Sequence, residues 1–307
     1  MNQSKFSLAD VLTVLAALTF GFVCFLGINL FTLGNTSQSV VLAVVIFVLL
    51  CGTAFGAKLL KRTSRKFKTC FIWEMILLGL FLLFAIFFAI SPFPHYFAVS
   101  GKKAEIQNKL TTSIVQAENM FAEYEHYAGN RENLYKNKLQ SVAKAKNINL
   151  SEYAEYGFES NGISDEKQIE NKMFTVHADL FPTNYEDMKQ VGSSWLANAR
   201  NIVENWKPIG IVGVVNEIEQ NSNDWLNTLT ELSATREKGE QAEDFAYNLS
   251  FDDVKKDFTQ LGKPSLLSVG LAVLTCFLML LSYLISRRSP KTTIGTAKRK
   301  GDFDIDF

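Results

Sequence analysis

The sequence predicts an all-α membrane protein, with four transmembrane helices and a mainly helical extracytoplasmic domain inserted between helices 3 and 4. Three observations carry that expectation. Uncharged apolar runs recur along the 307 residues, a cation cluster lies between two of them, and a long acidic segment precedes the last. A hydrocarbon layer of about 30 Å needs roughly 20 helical residues, which sets the scale for each run.

Residues 1–10 form a short N-terminus expected in the cytoplasm, and residues 11–33 run without a charge as the first span. That run is too long for the core of a signal peptide, and no small-residue cleavage pattern follows it, so it is expected to stay as an anchor. An uncharged link, 34–39, leads to the second span at 40–57. The loop at 58–68, KLLKRTSRKFK, carries six cations and no acid. The third span with its outer interfacial belt covers 71–97, where Glu74 is the lone charge and Phe93, Tyr96 and Phe97 lie beside Pro92 and Pro94. Residues 98–263 form the inserted domain, 264–286 the fourth span and 287–307 the tail.

The formal net charge of zero hides a division. Residues 98–263 hold 18 Lys or Arg against 26 Asp or Glu, while the rest of the chain holds 13 against 5. Moving a cation outward against a negative interior costs about 2.3 kcal/mol per 100 mV, so exporting the six of the loop would cost roughly 14 kcal/mol. The loop is therefore expected inside. An even number of spans then places both termini in the cytoplasm and the acidic domain outside, most simply at a bacterial inner membrane. A nucleic-acid reader would place its basic face on a folded domain, but here the basic loop is tethered between spans and the large domain is acidic. No nucleic acid is expected. All four cysteines lie in or beside spans, which leaves the inserted domain no disulfide framework and no thiolate metal cage.

Within the inserted domain, Ile106, Leu110, Ile114, Ala117, Phe121 and Tyr124 recur at helical spacing and are continued by Tyr135, Leu139 and Val142, with a break or kink expected at Gly129-Asn130. The tetrad from Thr183 to Glu186 reads as a capping box. Trp195, Trp206 and Trp225 are spaced as core anchors. Ile211, Val215, Ile218, Ser222, Trp225, Leu229 and Leu232 step alternately by four and three, a heptad seam for a helix packed along another. Residues 148–181 are polar and read as an elaborated tip with a short helix starting near Ser164.

Few side chains suggest chemistry. Glu74 is an intramembrane acid, expected to pair with Lys68 or Arg65 near the cytoplasmic face rather than to relay protons. Gly52 and Gly56 form a GxxxG pattern suited to close helix packing. Glu123 and His126 have the spacing of a carboxylate metal motif but lack a second such motif, so they read as surface residues and no cofactor is expected. There is no phosphate-cradling glycine loop, no GxSxG, no HExxH and no CxxC. The tail alternates Phe303, Ile305 and Phe307 with acids, a period of two that suits docking to a partner's sheet edge.

These readings point to a non-enzymatic scaffold or subunit of an envelope complex, binding other envelope or membrane proteins through its helical domain and a cytoplasmic partner through its tail, with homo-oligomerisation compatible. A membrane sensor with a ligand held by the helical domain is the alternative. A transporter or ion-conducting subunit using Glu74 is the third.

Overall fold

The computed structural model describes residues 7–63 and 67–288. Among these every regular element is a helix. In chain order they are α1 (Leu8–Phe31), α2 (Thr36–Arg62), α3 (Phe67–Ile90), α4 (Pro92–Gly101), α5 (Lys103–Lys144), α6 (Leu150–Glu155), α7 (Asp165–Leu180), α8 (Thr183–Glu204), α9 (Gly210–Ala234), α10 (Lys255–Thr259) and α11 (Leu266–Ile285). The chain divides into two compact units, residues 104–255 and the remainder.

The first unit contains four segments long and apolar enough to cross a membrane, Leu8–Phe31, Thr36–Arg62, Lys68–Gly101 and Leu266–Ile285. Their exposed faces carry Leu, Val, Ile and Phe, as an integral membrane protein in a lipid bilayer requires. The chain makes a tight turn between α1 and α2. Leu33 and Gly34 both take positive φ, and Gly34 N donates to Asn29 O (2.9 Å), which closes α1 with a reversed turn. Asn35 then caps α2 by accepting from Gln38 N at 3.1 Å. The third segment is interrupted at Ser91-Pro92, because proline at the first position of α4 has no amide to continue the α3 ladder.

α1 is the central helix of this unit and touches α2, α4 and α11. Lipid tails are as apolar as leucine, so helices in a bilayer associate through close packing instead of through expulsion of water. The residues at the contacts fit that demand: Ala16, Ala17, Ala54, Ala85 and Ala272 alternate with Phe20, Phe81 and Phe93 in the buried cluster. Gly27 marks the closest approach, since a Cβ there would lie 2.0 Å from Pro92 O. Phe93 points inward and stacks on Phe20 with ring centroids 4.7 Å apart. His95 is buried beside it, with Nε2 2.8 Å from Phe258 O.

The second unit is built on α5, whose 42 residues extend about 63 Å at 1.5 Å per residue. The helix passes unbroken through Gly129 and Asn130, where a break or kink was expected. Gly129 costs the helix about 1 kcal/mol relative to alanine, and the buried residues on either side, from Phe121 to Val142, hold the ladder through it. The tip is folded. Tyr153 stacks on Phe158 at 4.7 Å, and both pack with Ile169, Val176 and Leu180 against Tyr135, Leu139 and Val142 of α5. Buried Gln168 accepts from Glu159 N and donates to Glu159 O and Ile163 O, which pins the loop ahead of α7. Ser164 caps α7 as its position suggested, but the helix is 16 residues long. The capping box expected from Thr183 to Glu186 is not formed: Thr183 is already helical and Pro182 occupies the cap position.

Candidate functional site

Two polar constellations stand out, one in each unit. In the membrane unit, charges gather at the pole where α1 and α3 begin and α2 and α11 end. Asp10 and Lys58 form a buried ion pair that Ser282 joins through its hydroxyl. The two charges lie almost equally far along the hairpin from its turn at Leu33-Gly34, so antiparallel packing brings them level. Asp10 also accepts from Ser7 N at 2.9 Å, closing the first turn of α1. Glu74, wholly buried, accepts from Tyr283 Oη (2.7 Å) and from the Arg288 guanidinium (2.8 Å). Among the described residues its cation is thus Arg288, just past the end of α11, and not Lys68; Arg65 lies outside the described residues. Lys61 donates to Tyr283 O at 2.9 Å and lies over the Tyr283 ring. Each carboxylate within these spans therefore has a cation, and the bonds tie all four spans together at one end.

The glycines of the GxxxG pattern differ. A Cβ on Gly56 would lie 2.8 Å from Leu77 Cδ1 of α3, whereas one on Gly52 would meet nothing within 4 Å. The heptad seam lies within the second unit. Ile211, Val215, Ile218 and Leu229 are buried, and Trp225 and Leu232 are half-buried. Trp225 packs against Phe121 (5.7 Å) and Trp195 (6.1 Å), over the space left by Gly192. The seam is thus closed by its own chain. Phe303, Ile305 and Phe307 lie outside the described residues.

The second constellation is one that sequence reasoning missed. Beyond α9, residues 235–254 form no regular element and run as a strap along α5. Arg131 fastens it. All five of its guanidinium hydrogens are used: Nε and one terminal nitrogen hold Glu240 (2.5 and 2.9 Å), and the remaining bonds reach Ser233 O, Thr235 O and Tyr127 Oη. The side chains of Arg131 and Glu240 are each only 3% exposed, so an ion pair without this full set of bonds would be costly. Burial opposes the arginine charge, but the bonds to Glu240 and Tyr127 outweigh it and raise its pKa.

Three tyrosines fix the course of the strap. Tyr135 Oη donates to Lys238 O (3.2 Å), Tyr127 Oη to Glu243 O (2.6 Å) and Tyr247 Oη to Gln116 O (3.1 Å). The strap therefore runs antiparallel to α5. The strap opens with a turn at Lys238-Gly239, where Gly239 takes positive φ and Glu240 N donates to Glu237 O (3.0 Å), and from 240 to 253 it contains neither turn nor bend. Phe245 inserts inward, its ring 5.3 Å from Tyr124, in a cluster with Tyr127, Phe181 and Tyr185. Burial pushes the phenols of Tyr124, Tyr135 and Tyr185 up from their ordinary values.

Between strap and helix lies an open groove of about 1030 Å³ that borders every residue from 239 to 247. Its helical wall includes Glu123, His126, Asn130 and Leu134, all exposed. Glu123 and His126 are thus surface residues of α5, and among the described residues no cluster of His, Cys, Asp or Glu is placed to hold a metal. The sequence signal for the strap was faint: the helical period stops after Leu232, and the next stretch is dominated by charged and polar residues. No protein-family model, curated protein or solved structure matches the chain.

Proposed function

We propose that this protein is a multi-pass membrane scaffold or subunit of an envelope complex, whose second unit lies outside the cytoplasm and binds protein partners. The observation that carries the reading is the groove between strap and α5, a built and open surface in the unit that is not apolar. The membrane charges support it from the other side. Asp10 and Glu74 are matched by Lys58 and Arg288, an arrangement that braces helices and leaves neither acid as a lone carrier for transport. Lys58, Lys61 and Arg288 lie at a single pole of the spans, which supports a cytoplasmic position for that pole.

The test is purification of the whole chain in mild detergent, beside a form in which residues 104–255 are replaced by a flexible linker. Stable co-purification of envelope proteins with the first form alone is expected. A whole chain that emerges without partners would overturn the reading. A sensor is the second reading, favoured by the volume of the same groove; uptake of a small molecule by the whole chain in the absence of any protein partner would establish it instead. For sidedness, protease added to spheroplasts is expected to cut within 235–254 and to spare a reporter fused after Phe307.

A further inference from the structure

The strap leaves much of its backbone unused. Among the described residues, the amides of Gln241, Ala242, Glu243, Asp244 and Ala246 make no hydrogen bond within the chain, nor do the carbonyls of Gln241, Asp244 and Ala246. The side chains of Gln241, Glu243, Asp244 and Ala246 are exposed. An extended segment with free donors and acceptors is a template for another extended chain, because each added residue satisfies main-chain groups on both sides. Most such edges are too mobile to serve. This one is anchored by Arg131, by the three tyrosines, and by Phe245, whose amide donates to Ser233 Oγ at 2.7 Å and whose ring is buried. Its ordering cost is already met before a partner arrives.

Charge in the groove is also selective. Glu240 is matched by Arg131, Asp244 by Arg236 and Lys138 by Glu152. Glu123 and Glu243, one on each wall, are exposed and, among the described residues, have no ion-pair partner. Beside them, Leu134 is 72% exposed and offers an apolar contact. An occupant suited to these walls presents cations toward Glu123 and Glu243 and an apolar side chain toward Leu134.

We propose that the groove between the strap and α5 receives an extended, net-basic segment of a partner polypeptide, which pairs through its main chain with residues 241–246. The proposal rests on reading the second unit as the partner-binding part, and it names the surface and the chemistry of what binds. A helical or an acidic partner segment is a different outcome.

The full chain in lipid nanodiscs would be used to select from displayed random peptides of about 12 residues, slightly longer than the strap they would border. The expected winners carry net positive charge, and binding slows exchange of the 241–246 amides while the amides of α8 are unaffected. The surface pair Glu123→Gln with Glu243→Gln is expected to weaken the selected peptide about tenfold, since it removes both facing charges. Methylation of alternate peptide nitrogens is expected to abolish binding. Enrichment of neutral or acidic peptides, unchanged exchange at 241–246, or no enrichment over empty nanodiscs would each overturn the proposal. Partners that co-purify equally with the Glu123→Gln, Glu243→Gln form would overturn this inference and leave the proposed function standing.

Discussion

At the scale of single residues, position along a helix decides consequence more than residue type does. Gly27 and Gly52 are both glycines in spans, yet a Cβ on the first would collide with Pro92 O and a Cβ on the second would meet open space. Gly27→Ala is expected to destabilise the membrane unit by about 3 kcal/mol, and Gly52→Ala to leave it unchanged or slightly firmer. Thermal melts of the two variants in one detergent check both. The pairs behave as pairs. Asp10→Asn strands the Lys58 ammonium among buried neighbours and is expected to cost about 3 kcal/mol, whereas the combination of Asp10→Asn with Lys58→Met is expected to recover most of it. A double-mutant cycle read by melting would show whether the coupling exists. Arg131→Met leaves the Glu240 carboxylate buried and unmatched, so denaturant unfolding should reveal a loss of about 3 to 5 kcal/mol, with faster exchange of the bonded amides of Glu240 and Phe245.

Elements show where periodicity succeeds and where it stops. α5 and α9 announce themselves because one face of each must be apolar to pack, and burial follows the 3.6-residue period closely. The strap has no such period. Its residues are held by side chains from α5 and α9, at separations of more than 100 residues for Arg131 and three of its four partners, and no local pattern encodes that. Buried tyrosines around α5 give the second unit a pH limit. Burial raises the phenols of Tyr124, Tyr135 and Tyr185, so they ionise in the unfolded chain at about pH 10 while remaining neutral in the folded one. Their contribution to stability is complete below that pH and is lost as pH rises toward the folded values. The stability of the second unit is therefore expected to fall steadily above about pH 10. A share of tyrosinate absorbance equal to three of the nine tyrosines that appears only as helicity is lost would check it; ionisation of all nine ahead of unfolding would refute it.

For the whole molecule, the helical class, the four apolar spans and the segregation of charge are all written in the linear chain, because each is a property of composition along a contiguous run. A stretch of twenty apolar residues has few options in water, and alternation at 3.6 residues specifies which face of a helix is hidden whatever lies opposite. The tertiary structure decided which groups meet. Glu74 was legible as an intramembrane acid, but its partner Arg288 lies 214 residues away in sequence. Asp10 and Lys58 looked like unrelated charges at the ends of two apolar runs until a hairpin set them level. The heptad seam was visible in the residues, yet only the packing of Trp225 against Phe121 and Trp195 turned it inward. The groove arose the same way, from a segment that folds only against its neighbours. Contacts made across long loops depend on the energies of every intervening element, so they belong to the folded whole and leave no signature in any one stretch of chain.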